Sequence, residues 1–220
     1  MSDHPEYDTY WQRKDLLRRA RPAFPVRRWW DTNGLCDIER VYFDAARNAS
    51  SVLDVGAGDL RMKRKFLAAG YPGEYHTQDI GPEGTHTYRD LGEVDRRYGA
   101  ILCLDVLEHL GLVEGLNLLR RLIALLSPGG ALVLQTANAA YLPDPRSWDM
   151  THIHAYNLPD LWAFLKCEGL EVEGYRIVLG ERRAGPVTSA RLAITAYVKR
   201  KILGCDFANN IAVVATRPLA

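Results

Sequence analysis

The sequence predicts a doubly wound α/β sheet, and two observations predict it. The first is the run Ser51-Val52-Leu53-Asp54-Val55-Gly56-Ala57-Gly58-Asp59-Leu60, in which a short apolar stretch reads as a buried parallel strand and passes directly into a glycine turn. The second is Asp79, at the end of a second strand segment about twenty residues past the turn, succeeded by further apolar strand-like runs at 98–104 and 131–136. Glycines without Cβ atoms turn sharply and let a ligand approach the backbone. Helical character over residues 60–69, with Asp59 at the N-cap, completes a strand–turn–helix entrance of the nucleotide-binding kind.

The totals agree with one domain. A chain of 220 residues, 47% hydrophobic and 25% charged, is long enough for a single α/β unit with a sizeable core. A net charge of +1 excludes a broad basic field for nucleic acid, though not a local patch. Cys36, Cys103, Cys167 and Cys205 are scattered without CxxC or Cys/His spacing, so no metal motif is read and free thiols are expected. The polar Met-Ser-Asp-His-Pro-Glu start lacks a signal region, and no window is apolar for long enough to cross a bilayer, so the expected location is cytoplasmic.

In chain order, residues 1–48 form a helical lead-in. Its Tyr7, Tyr10, Trp11, Arg18, Arg19, Arg21, Arg27, Arg28, Trp29 and Trp30 interleave bases with aromatics, and Pro22 and Pro25 divide it into two helical pieces. Such a segment packs on a core edge or closes as a lid over a ligand. A helix over residues 35–47, with Leu35, Ile38, Val41 and Tyr42 on one face, delivers the chain to the first strand. Gly70-Tyr71-Pro72-Gly73 is a turn, residues 74–80 a second strand, and Tyr88-Arg89-Asp90-Leu91 the end of a short third. Residues 112–126 make an amphipathic helix stopped by Ser127-Pro128-Gly129-Gly130 ahead of the fifth strand. A helix at 158–168, a strand at 170–179, an insertion at 180–207 and a last strand at 211–216 complete the chain.

The ligand can be narrowed from the turn. A dinucleotide fingerprint needs a small residue three positions after the second glycine, where this chain has Arg61, and the turn lacks the Gly-Lys-Ser/Thr of a phosphate loop. The turn instead suits a small ligand with a positive centre and no phosphate. Val-Leu-Asp-Val-Gly-Ala-Gly-Asp resembles the first motif of the class I S-adenosylmethionine (SAM)-dependent methyltransferases. Asp105-Val106-Leu107-Glu108-His109-Leu110 is similar to that family's pocket-lining loop after the fourth strand, and Leu126-Ser127-Pro128-Gly129-Gly130-Ala131-Leu132-Val133-Leu134 to its third motif. The resemblance, strong over residues 50–140, implies seven strands in the order 3-2-1-4-5-7-6, mostly parallel with the last antiparallel, and helices on both faces. It also implies SAM as cofactor, with Asp54, Gly56, Gly58, Asp79, Asp90 and Asp105 as its binding residues. Asp79 would hold the ribose hydroxyls and Asp90 would neighbour the adenine.

For the acceptor, Trp148-Asp149-Met150-Thr151-His152-Ile153-His154, leading into a helix and a glycine-bounded strand, resembles methyltransferases that O-methylate cell-surface polysaccharides and small molecules. Chemistry points to the same segment. A protonated hydroxyl is a weak nucleophile, so a base titrating near neutrality helps. His152 is the expected base, with His154 as a second candidate and Asp149 as orienting partner, and strand-like alternation would put both histidines on one side. The Asn/Asp-Pro-Pro-aromatic and Pro-Cys signatures of nucleic-acid methylation are absent, as Leu104-Asp105-Val106-Leu107 and the strand-bound Cys103 show. A basic amphipathic helix expected over residues 189–203 can pack on the sheet edge, lie on an anionic membrane or grip a lipid-linked sugar. Expected, then, is methyl transfer to a hydroxyl of a sugar or small metabolite. The alternatives are a protein or RNA methyltransferase, and a SAM-binding module without catalysis.

Overall fold

A computed structural model describes residues 6–81, 85–179, 190, 194–195, 197–198, 202 and 204–219. Among the described residues, the α-helices and strands with complete ranges run in the order α1 (Tyr10–Ala20), β1 (Val26–Trp29), α2 (Asp37–Ala46), β2 (Ser51–Val55), α3 (Arg61–Ala68), β3 (Glu74–Gln78), β4 (Tyr98–Leu104), α4 (Leu112–Ala124), β5 (Leu126–Ala137), α5 (Leu158–Cys167), β6 (Glu171–Leu179) and β7 (Asn210–Thr216). They form one sheet, β1-β6-β7-β5-β4-β2-β3, in which only β7 runs antiparallel to its neighbours. Counted from β2 as the first strand, this is the expected 3-2-1-4-5-7-6 order. Tyr88, bridged in parallel to Gln78, stands in the third place, and β1 extends the opposite edge.

Alternation explains why the central strands read as continuous apolar runs. Leu53, Ile101, Leu132 and Leu134 point to one face, where Leu116, Leu119 and Leu122 of α4 and Leu161, Phe164 and Leu165 of α5 cover them. Val52, Ala100, Leu102 and Val133 point to the other, against Ile38 and Tyr42 of α2 and Met62 and Phe66 of α3. Both faces are therefore dry, and ligands are left the rim at the carboxyl ends of the strands.

Three local expectations are corrected. The second helical piece of the lead-in is strand β1. Pro25 starts it, Arg176 donates its backbone N–H to the Pro25 carbonyl at 2.9 Å, and pairing with β6 overrides helical propensity. Residues 127–130 do not separate helix from strand but lie inside β5, where a register shift against Tyr98 and Ala100 absorbs the glycines. Leu60, with φ of 64°, is the residue at the N-cap of α3, while the Asp59 carboxylate accepts the Arg61 N–H at 2.9 Å. The helix expected at 189–203 falls largely outside the described residues.

One ion pair ties the helices of the α2–α3 face together. Lys65 Nζ lies 2.9 and 2.8 Å from the two carboxylate oxygens of Glu39, and both residues are buried. Glu39 also accepts the Cys36 N–H at 2.9 Å, closing the N-terminus of α2. Taking away one member strands the other charge in the core. Lys65→Met should cost about 3 kcal/mol of unfolding free energy, the low end for a broken buried pair because Arg61 lies 3.4 Å from the same carboxylate. Urea unfolding of the variant beside the parent chain measures it.

Candidate active site

At the carboxyl ends of β2 and β4 lies a cavity of about 160 Å³. The glycine turn forms its floor. Gly56 and Ala57 donate their backbone N–H groups to the Gln78 carbonyl at 2.9 and 3.1 Å, fastening the turn to the end of β3. The two glycines differ in role. At Gly56 (φ 70°) a Cβ would come within 2.2 Å of Val106, so the missing side chain lets the β4 loop pack down. Gly58 (φ 48°) also lines the cavity, and nothing lies within 4 Å of where its Cβ would stand. Only the second is open space for a ligand.

The wall is acidic. Asp54, Asp59 and Asp105 line it. Asp54 is buried and accepts the Tyr75 hydroxyl at 2.9 Å, and burial pushes its carboxyl up to about 7 despite that hydrogen bond. Asp105, with φ of 56°, opens onto the cavity yet is ringed by protein, and this desolvation raises its pKa. Its carboxylate accepts both 2.9 Å bonds that Gln135 Nε2 offers, and its backbone N–H donates to the Gln135 carbonyl at 3.0 Å. Tyr42 in turn donates its hydroxyl to Gln135 Oε1 at 2.6 Å. Tyr42, Gln135, Glu39 and Arg61 all line the cavity and were not among the residues expected there. Gln135 carried a signal in the sequence: it is a polar residue at the end of an otherwise apolar strand.

Asp79 and Asp90 sit outside this lining. Asp79 accepts the Gly58 N–H through Oδ2 and the Gly81 N–H through Oδ1, both at 2.7 Å, so it holds the turn from behind. Asp90 is exposed and caps the short 3-10 turn at Leu91–Glu93 by accepting the Gly92 N–H at 2.6 Å.

Next to Asp105, the 3-10 turn Leu107–His109 brings Glu108 and His109 up to His152. The rings of His109 and His152 meet edge to face with centroids 5.1 Å apart. The Glu108 carbonyl accepts the N–H groups of Ile153 at 2.7 Å and His154 at 3.2 Å, which fastens the 151–154 segment here. Both histidines act electrostatically on Asp105, which itself lines the cavity, though neither histidine is part of the lining. Asp149 does not hold His152 by its side chain. Its carboxylate accepts both the backbone N–H and the hydroxyl of Thr151, at 2.8 and 2.6 Å, which keep it ionised below the usual range. Thr151 Oγ1 then stands 2.9 Å from His109 Nδ1. His154 goes elsewhere. Residues 152–155 belong to no strand, so alternation does not govern them, and the His154 ring packs on Tyr156 with centroids 4.8 Å apart and lines a separate cavity of about 250 Å³ with Arg13 and Phe164.

The lining fits one kind of ligand. The carboxylates of Asp54, Asp59 and Asp105 and an unfilled glycine cradle, with the Arg61 guanidinium drawn to the fourth carboxylate of the lining, Glu39, suit a cationic amino-acid-bearing nucleoside better than a pyrophosphate. SAM meets that description.

Known proteins point the same way. Residues 26–174 match a family described as "Methyltransferase domain". The ubiquinone biosynthesis O-methyltransferase of Xanthomonas campestris pv. campestris is 29% identical over 141 residues, which cover 51% of this chain and 57% of that protein. The chain thus spans little more than half the length of the curated relatives it matches. Among solved structures, a SAM dependent methyltransferase from Archaeoglobus fulgidus superposes with a TM-score of 0.62 at 16% identity, covering 98% of this chain and all of that one. An O-methyltransferase family protein from Burkholderia thailandensis gives 0.55 at 14% identity, covering 98% and 62%. The plantazolicin methyltransferase BpumL in complex with SAH gives 0.52 at 12% identity, covering 80% of each chain.

The raised Asp54 pKa sets a pH dependence. Below about 7 this carboxyl is neutral in the ligand-free chain, and a cationic ligand favours its ionised form, so binding releases a proton. SAM affinity should rise as pH is taken from about 5.5 to 8, and Asp54→Asn should flatten the slope. Calorimetric titration in two buffers of different ionisation enthalpy measures the affinity and the proton together.

Proposed function

The chain belongs to the methyltransferase-domain family, with SAM as its cofactor, and we propose that it transfers the methyl group to a hydroxyl of a small molecule held at the His109–His152 corner. The observation that carries this reading is the corner itself: two imidazoles meeting edge to face, one of them on the short turn that follows Asp105 of the donor cavity. SAM, when bound, supplies a methyl group on a sulfonium, an activated carbon that needs an aligned nucleophile. The chain's residues supply the rest. In this reading Asp54, Gly56, Gly58 and Asp105 hold the donor. Asp79, whose oxygens each keep a second lone pair while holding the turn, accepts the ribose hydroxyls, and Asp90 borders the adenine side.

On the acceptor side, the need is a weaker hold on the hydroxyl proton. His152 Nδ1 lies 3.0 Å from the Pro145 carbonyl, which can only accept, so that nitrogen carries the hydrogen and Nε2 presents its lone pair. His152 is therefore the residue on which activation of the hydroxyl rests. Asp149 positions its neighbour His109 through Thr151. Leu142, Trp148, Met150 and Ile153, on the stretch of chain that carries His152, are exposed, Met150 to 99%. They favour an acceptor with an apolar body over a free sugar. The name of the Xanthomonas relative supports the same acceptor class, and carbohydrate or lipid-linked acceptors are its nearest alternatives.

Methyl-labelled SAM incubated with host extract, then split into small-molecule, lipid, polysaccharide, protein and RNA fractions, tests the assignment. Label is expected in an alkali-stable ether of a small molecule. Label in protein or RNA would overturn the acceptor class while leaving the donor site standing. With the acceptor in hand, His152→Ala should lower kcat by roughly 10²–10⁴. His154→Ala, facing another cavity, should leave it within about threefold, near the noise of a surface change.

A further inference from the structure

Among the described residues, one group of three side chains offers ligand atoms that all lie within 4.8 Å of one another: Glu108, His109 and His152. Proximity alone would carry little. What gives it chemical meaning is how each of the three is held.

Both rings are fixed in one tautomer. His152 donates Nδ1–H to the Pro145 carbonyl at 3.0 Å. His109 Nδ1 faces Thr151 Oγ1 at 2.9 Å and the Thr151 carbonyl at 3.3 Å. Thr151 spends its hydroxyl hydrogen on Asp149 at 2.6 Å, so toward His109 it can only accept. Each neutral ring therefore carries its hydrogen on Nδ1 and its lone pair on Nε2. A ring anchored through one N–H to a carbonyl or hydroxyl, with the other nitrogen bare, is the arrangement of metal-ligating histidines. Glu108 adds the charge. It is only 3% exposed, the Thr136 hydroxyl holds its Oε2 at 2.8 Å, and among the described residues no Lys or Arg forms an ion pair with it. A buried carboxylate without a cation is costly, and buried charges are paired or bind metals.

We propose that Glu108, His109 and His152 bind one divalent transition-metal ion. Two imidazoles and one carboxylate suit Zn²⁺, Co²⁺, Mn²⁺ or Fe²⁺ rather than Mg²⁺ or Ca²⁺, which take oxygen ligands. Three protein ligands leave coordination positions open. Resting here on the acceptor reading above, the open position takes the acceptor's hydroxyl oxygen. His152 then acts on the hydroxyl through the ion. The O–H proton leaves to bulk water as its oxygen is polarised, the O–CH₃ bond forms as the S–CH₃ bond breaks, and the sulfur keeps the electron pair as SAH.

Cobalt is the probe. The full chain, stripped with a chelator, is titrated with Co²⁺ alone while its visible d–d absorption is monitored, in the absence of any acceptor. The wild-type chain should show a saturating band at one ion per chain that excess Zn²⁺ abolishes and excess Mg²⁺ does not. His109→Ala and His152→Ala should lose it. Thr151→Val, nearly isosteric and outside the ligand set, should weaken Co²⁺ binding about 10–100-fold by freeing the His109 ring. No saturating band in the wild-type chain, or a band unchanged in both histidine variants, would overturn the site. The two readings fail separately: a Co²⁺ band without label in any hydroxyl acceptor keeps the metal and removes the O-methyl assignment, whereas hydroxyl methylation with no band and no chelator sensitivity does the reverse.

Discussion

Two consecutive side chains at the end of β5 hold the whole functional rim. Successive residues of a strand point to opposite faces, so Gln135 and Thr136 reach in opposite directions from one short piece of backbone. Gln135 takes the Tyr42 hydroxyl on the α2 side and grips the Asp105 carboxylate, fixing the donor cavity. Thr136 donates to Glu108 on the other side, fixing the histidine corner. The cavity and the histidine corner, the latter proposed for the acceptor, are thus set relative to each other by the pleat of a central strand. Methyl transfer is an in-line displacement in which alignment is most of what a protein contributes, and errors of about an ångström are expensive.

The electrostatics of the rim arise from the same placement. Parallel strands with both faces covered leave their carboxyl ends as the place where polar groups can sit, and this chain puts Asp54, Asp105 and Glu108 there. Burial raises the pKa of all three. Crowded, poorly solvated carboxylates attract positive charge more strongly than exposed ones. The rim is therefore biased toward cations, whether carried by a sulfonium, an ammonium or a metal ion.

Much of this was legible in the sequence, for identifiable reasons. The Val52–Val55 run with its glycine turn, the apolar strand at 98–104 and the hexapeptide beginning at Asp105 are local patterns, and local patterns survive folding. What was not legible depends on distant partners. Strand β1 is recruited by an edge that lies about 150 residues further along the chain, as the pairing of Val26 with Arg176 shows. Tyr42 reaches Gln135 across 93 positions. The His109–His152 corner joins segments 42–43 positions apart, so spacing rules for metal motifs, which look for ligands on one turn or one loop, pass over it. Asp79 was legible by position, but the turn-holding bonds it makes to Gly58 and Gly81 were not. His154 was misplaced relative to His152 because the segment is irregular and obeys no period.

The edge strand has a further consequence. Trp29, the last residue of β1, lines the donor cavity, so the wall around the ligand is finished by an edge strand whose partner lies about 150 residues further along the chain. A short strand at the sheet edge, exposed or half-buried along its length, is among the parts of a fold that open locally. A bound donor that touches this wall favours the closed edge over the frayed one, and free energy of binding is thereby shared with the chain's amino-terminal end. Cofactor occupancy and order at β1 become two readings of a single equilibrium, which makes hydrogen exchange at residues 26–29 a reporter of whether the donor is in place.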